Sequence, residues 1–156
     1  MRTPEEILRD SGIDFRVHEH VPVATVAEIL EALPFPAEEH VKTLAFDTGS
    51  GIALAALRGA DRLQFGKLAR ALGVSRDRLE LLAPERVRDE LGLEPGGVCP
   101  LVDRDDVTVV ADLRVLELER AFCGSGRNDA TLELAPPDLV AVSGATVDDL
   151  TTAPPD

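Results

Sequence analysis

Apolar and polar residues alternate with two different periods along this chain, and each change of period marks an element. "HVKTLAFD" (40–47) and "IALAALRG" (52–59) are dense in strand-forming residues, and "TGSG" (48–51) between them predicts a hairpin turn. "DFRVHEH" (14–20) alternates as a strand does. "ADRLQF" (60–65) and "RLELLA" (78–83) read as short strands, and "DVTVVADL" (106–113) is the clearest strand of the chain. "AFCGSGRNDATLELAP" (121–136) reads as strand, glycine loop, strand.

Helical spacing comes with its own punctuation. Thr3, Pro4 and Glu6 form a capping box that opens a helix stopping near Gly12. Thr25 and Glu28 repeat the pattern ahead of "VAEILEAL", which Pro34 ends. In "GKLARALG" Leu68 and Leu72 lie four apart and Gly73 is the stop. Pro84 opens "ERVRDELG", with Val87 and Leu91 on one face and Gly92 closing it. Asp112 caps a short helix through Leu118, and Pro136 begins a last helix that ends at Gly144. The polar end, "TVDDLTTAPPD", is predicted to fray.

Short helices interleaved with hairpins, without a rhythm of long crossovers, predict a mixed α/β domain with a partly closed sheet rather than a doubly wound one. One domain over 1–150 with a flexible tail at 151–156 is the expected organisation, since neither a repeat nor an interior linker appears.

Composition narrows the function. Five Phe with no Trp or Tyr argue against a base-stacking platform for single-stranded nucleic acid. No apolar run approaches the ~20 residues that span a bilayer, and the N-terminus lacks a signal-peptide core, so the cytoplasm is the expected compartment. Cys99 and Cys123 are then free thiols. The formal net charge of −13 opposes non-specific nucleic-acid binding, so any such role needs a local basic pocket or a partner.

Four stretches carry candidate chemistry. Lys42 shares a strand face with Leu44 and Phe46. It either lays its stem on apolar surface with the ammonium in water, or stands as a cation at a pocket mouth, placed for a phosphate or a carbonyl. In "EPGGVCP" (94–100) consecutive glycines let the backbone approach a ligand and offer N–H donors; an ordinary surface turn is the alternative. Cys99 is a candidate nucleophile, although nothing nearby lowers its pKa, and a small pocket-lining residue is the competing reading. "CGSGRND" (123–129) lacks phosphate-loop spacing and reads as a tight connection, with Asn128, Asp129 and Thr131 at a pocket rim. His18 and His20 share a face that suits a metal, but His40 is the sole further histidine, and structural or rim roles are favoured.

In order, "HVKTLAF", "FGKLARALG", "EPGGVCP", "VVAD" and "GSGRNDATLELAPPDLVAVSGA" resemble the YbaK/ProX family of aminoacyl-tRNA deacylases, which also occurs as the editing insertion of bacterial prolyl-tRNA synthetases. The resemblance runs from about Phe15 to Gly144. It implies a partly closed, β-barrel-like mixed sheet surrounded by short helices, and no metal or organic cofactor. It further implies hydrolysis of the ester joining a wrong amino acid to tRNA, typically tRNA for proline carrying cysteine, alanine or another small residue. Lys42 matches the family's functionally required lysine. Thr43, Gly96, Gly97, Val98, Cys99, Pro100, Asn128 and Thr131 are the expected substrate-binding positions. The implied partners are the 3′ end of an aminoacyl-tRNA and a prolyl-tRNA synthetase. Given the acidic surface, tRNA is expected to arrive through that synthetase or to meet a basic patch of Arg58, Arg62 and Lys67 around Lys42. A non-catalytic module binding an amino acid, a nucleotide or a synthetase is the alternative, and a thiol enzyme using Cys99 a third.

Overall fold

The computed structural model describes residues 1–23, 25, 27, 28, 31 and 36–152. Helix α1 (Pro4–Ser11) begins as read: Thr3 Oγ1 accepts from Glu6 N at 3.2 Å, and Thr3 N donates to Glu6 Oε1 at 3.4 Å. Its Ile7 and Leu8 are buried, and Gly12 ends it in the left-handed conformation. Thr25 Oγ1 likewise accepts from Glu28 N at 3.2 Å, while the body of the helix predicted there lies outside the described residues.

Strands β2 (Val41–Asp47) and β3 (Ile52–Arg58) form the predicted antiparallel hairpin. Gly49, at φ 85°, turns the chain where Asp47 Oδ1 accepts its N–H at 2.7 Å. Three further strands complete a five-stranded sheet: β5 (Glu80–Leu81), β6 (Val107–Asp112) and β9 (Thr146–Asp148), in the order β5-β2-β3-β6-β9. The β3–β6 and β6–β9 pairs are parallel and the others antiparallel, so the sheet is mixed. A second, antiparallel sheet has the order β1-β8-β7, from Phe15–Glu19, Ala130–Leu134 and Ala121–Gly124. Two short strands, β4 (Arg62–Leu63) and β10 (Thr151–Thr152), pair separately.

Both faces of the five-stranded sheet are covered, which is why β3 is apolar at nearly every position. Val41, Ala45 and Leu54 face a core shared with Leu132 and Leu134 of the second sheet and with Leu139 of α4 (Pro136–Ser143). Phe46, Ala55 and Leu57 face the opposite way, onto Leu68 and Ala69 of α2 (Phe65–Leu72). Helix α3 starts at Pro84–Arg86 and continues with a π-helical turn, Val87–Leu91, that Gly92 ends.

The mixed α/β class is as the sequence predicts, but barrel closure is not found. Among the described residues the strands form three sheets, and the two larger ones meet at a single bridge between His40 and Phe122. The polar end also departs from expectation over 146–152. There β9 joins the large sheet, Leu150 is fully buried, and Asp112 Oδ1 accepts the Leu150 N–H at 2.8 Å. One apolar residue and one buried acceptor anchor a segment that hydropathy alone assigns to solvent. No helix among the described residues is long and apolar enough to cross a membrane.

Candidate functional site

Alternation along β2 sends Lys42 and Thr43 to opposite faces, and each borders a depression of its own. Lys42 opens on a cleft of about 690 Å³ lined by Leu44, Asp61, Arg62, Gln64, Phe65 and Arg76 among others. Its stem is half-buried, and Nζ donates to Gly59 O at 3.2 Å. The Gly59 carbonyl is available there because β3 ends at Arg58 and the chain folds back, with Gly59 N donating to His40 O at 2.7 Å. Burial pushes the Lys42 pKa below that of an ordinary lysine, and the Asp61 carboxylate partly offsets the effect. Asp61 itself is buried and held by Arg58 at 2.7 Å.

Of the three cations expected around Lys42, Arg62 lines the cleft. Arg58 is engaged by Asp61, and Lys67 by Asp149 at 2.9 Å and Thr151 O at 3.0 Å. Arg76 also lines the cleft and was not foreseen. It sits on the short helical turn Arg76–Arg78 after α2, and only the fold brings that turn against β2.

Thr43 borders a smaller cavity of about 170 Å³, with Leu44, Ala45, Leu82, Val87, Pro95 and Val98 among its walls. Leu44 borders both depressions and is the ridge between them. Thr43 is 7% exposed, and its Oγ1 is buried with no hydrogen-bond partner among the described residues. Leu82, Pro84 and Val87 were read from sequence as structural. Their pocket-facing role has no local signal, since core and pocket walls are equally apolar.

The glycine loop is built differently from its sequence reading. Gly96, at φ 86°, makes the turn in which Gly97 N donates to Glu94 O at 2.9 Å. Gly97 O accepts from Gly126 N at 2.7 Å, and Glu94 N donates to Gly126 O at 2.9 Å, so the two glycine loops are joined back to back. A Cβ on Gly97 would lie 2.4 Å from Arg127 O, and one on Gly124 2.4 Å from Val98 O. These glycines therefore allow backbone to meet backbone rather than ligand. Val98 does reach the cavity, and the amides of Val98 and Cys99 donate to no group among the described residues. The Cys99 side chain points into the core, its Sγ 3.7 Å from Leu101 O, and burial pushes its thiol up to about 12. Pro100 is buried behind it.

Asn128 and Thr131 lie elsewhere. Asn128 O accepts from Val23 N at 2.9 Å, and Thr131 Oγ1 is 3.0 Å from His20 Nε2, so both fasten the chain that leaves β1. His18 Nε2 is 2.8 Å from Glu133 Oε1, a structural contact between strands. No group of three or more His, Cys, Asp or Glu among the described residues is arranged to hold a metal.

The model of the aminoacyl-tRNA editing domain matches residues 20–142. The proline–tRNA ligase of Desulfitobacterium hafniense is 34% identical over 105 residues, which are 67% of this chain and 18% of the ligase. The uncharacterized protein YwhH of Bacillus subtilis is 26% identical over 125 residues, 80% of this chain and 78% of that one. Among solved structures, the hypothetical protein APE2540 superposes with a TM-score of 0.83 at 29% identity, covering 95% of this chain and 98% of that chain. A protein proposed to be a trans-editing enzyme for prolyl-tRNA synthetase gives 0.81 at 28% identity, covering 95% and 94%.

Proposed function

Because the chain belongs to the aminoacyl-tRNA editing domain family, we propose that it is a deacylase that removes a wrong, small amino acid from tRNA, with tRNA for proline as the substrate. The observation that carries this reading is the pair of depressions on either side of Leu44, one apolar and small, the other open and cationic. An aminoacyl ester presents a small, uncharged side chain at the end of a polyanionic strand, and the two depressions match those two parts.

In this mechanism the amino-acid side chain enters the cavity at Thr43, and the terminal nucleotide lies across Leu44 with its phosphate toward Lys42. Water adds to the ester carbonyl, the acyl C–O bond to the ribose breaks, and the ribose oxygen takes the proton. The products are a free amino acid and an uncharged tRNA end. The neighbouring ribose hydroxyl orients the attacking water, so no protein triad is required. The Val98 and Cys99 amides are the donors for the carbonyl oxygen as charge develops there, where a preorganised N–H is worth more than in water. Cavity size then supplies selection by a second, small site. The thiol route loses its support, because an enclosed thiol with a pKa near 12 is protonated at neutral pH.

The test is release of amino acid from a panel of mischarged tRNAs under single-turnover conditions. Release above the uncatalysed rate is expected for at least one small amino acid. Lys42→Ala is expected to slow that release by roughly 10- to 100-fold, the worth of a hydrogen bond to a charged group. Unchanged rates would remove Lys42 from the mechanism. No release from any member of the panel would favour a binding module of the same fold.

A further inference from the structure

Among the described residues that wall the small cavity, Thr43 is the single one with a polar side chain. Its Oγ1 has no partner among the described residues, although buried hydroxyls are ordinarily satisfied. The strand offers it nothing: Ala56 stands opposite on β3, and Ala45 follows on the same face of β2. The other described walls are alkyl groups and prolines, Leu44, Leu82, Val87 and Pro95 among them. A lone unsatisfied hydroxyl in an apolar pocket costs stability unless something that enters the pocket completes it.

Resting on the deacylase reading above, we infer that Thr43 Oγ1 is the specificity-determining contact of the aminoacyl pocket, and that the amino acid removed has a short side chain carrying a hydroxyl or thiol rather than a bare methyl. An apolar pocket alone separates such side chains poorly. A buried hydrogen-bonding group separates them well, because the analogue without the group leaves it unpaired. A serine- or cysteine-type side chain supplies the missing partner. An alanyl group fits the volume and leaves Oγ1 as it is in the free protein.

Single-turnover release from the same tRNA charged with serine, cysteine or alanine reads this directly. Wild type is expected to release serine or cysteine at least about 10-fold faster than alanine. Thr43→Val should bring the ratio close to one, and Thr43→Ser should keep it. A wild-type ratio near one, or a preference for alanine, overturns the inference while leaving the deacylase reading in place. A Thr43→Val enzyme slowed equally on all three also overturns it, since Oγ1 would then serve a part common to every substrate. Release from none of them overturns the deacylase reading and this inference together. Thermal unfolding gives an independent readout: valine has nearly the shape of threonine, so removing an unpaired hydroxyl should hold or raise Tm. A clear fall in Tm means that Oγ1 has a partner in the free protein, and the inference fails.

Discussion

His40 stands at the foot of β2, 3% exposed, with Nδ1 buried and unpartnered among the described residues. Burial and the nearby Lys42 charge lower its pKa from 6.5 to about 4, so the ring is neutral in the folded protein at physiological pH. The unfolded chain therefore binds more protons than the native one between those two values, and stability falls as pH drops from 6.5 through 4. A shift of this size corresponds to a loss on the order of 3 kcal/mol across that window. Denaturant midpoints at pH 7, 5.5 and 4 should show a shallower acid decline for His40→Asn than for wild type, whatever the variant's stability at pH 7. Parallel declines would show that His40 is protonated in the native state or lies open to water. Position and environment separate what was legible at this scale. Lys42 on an apolar strand face follows from alternation alone. Its partner Gly59 O, its neighbour Arg76 and the isolation of Thr43 Oγ1 all come from segments that meet only in the fold.

At the scale of elements, the helix and strand signals that succeeded are those written in adjacent residues. The capping box at Thr3, the Asp112 cap and the glycine stops at Gly12, Gly73 and Gly92 all form as read. What failed depended on partners far along the chain, as with the end segment held by Leu150 and Asp112. The glycine loops are an intermediate case: 94–100 reads in sequence as ligand approach or a surface turn and 123–129 as a tight connection, and neither reading contains the contact in which Gly97 and Gly124 let the two loops touch. Substitutions separate the two roles. Gly97→Ala drives a Cβ into the Arg127 backbone, and because backbone cannot step aside, a loss of roughly 2 kcal/mol or more is expected in chemical denaturation. Gly66→Ala, in the first turn of α2 with nothing within 4 Å of the added Cβ, should be neutral or stabilise by up to about 1 kcal/mol. An unperturbed Gly97→Ala protein would mean that the loops do not pack together, and the wall that Val98 gives the cavity would lose its support.

Across the whole molecule, 29 acidic residues outnumber 16 Lys and Arg, and most arginines are already engaged. Arg86 bridges Asp47 and Glu90, Arg114 reaches Asp112 and Asp149, and Arg104 and Arg127 are held by Asp106 and Asp129. The cleft beside β2 departs from this pattern, since Lys42, Arg62 and Arg76 meet there and none of the three is ion-paired among the described residues. If these three take the phosphates of a single-stranded tRNA end, counterion release gives log K a slope of about −2 against log salt, at roughly 0.7 per phosphate. Repulsion from the remaining surface acts in the opposite sense, because salt screens it and so favours binding. The wild-type slope is thus expected to be shallower than −2, and its absolute value cannot isolate the cleft. The difference between proteins can. Arg76→Ala removes one phosphate contact and barely alters the total charge, so its slope should be shallower than wild type by about 0.7. Arg88→Ala, an exposed arginine beside Asp89 that is not among the cleft residues, should leave the slope unchanged. Filter binding of tRNA across a salt series measures both. Equal shifts in the two variants would mean that the nucleic acid senses only net charge, and the cleft would then have no part in holding it.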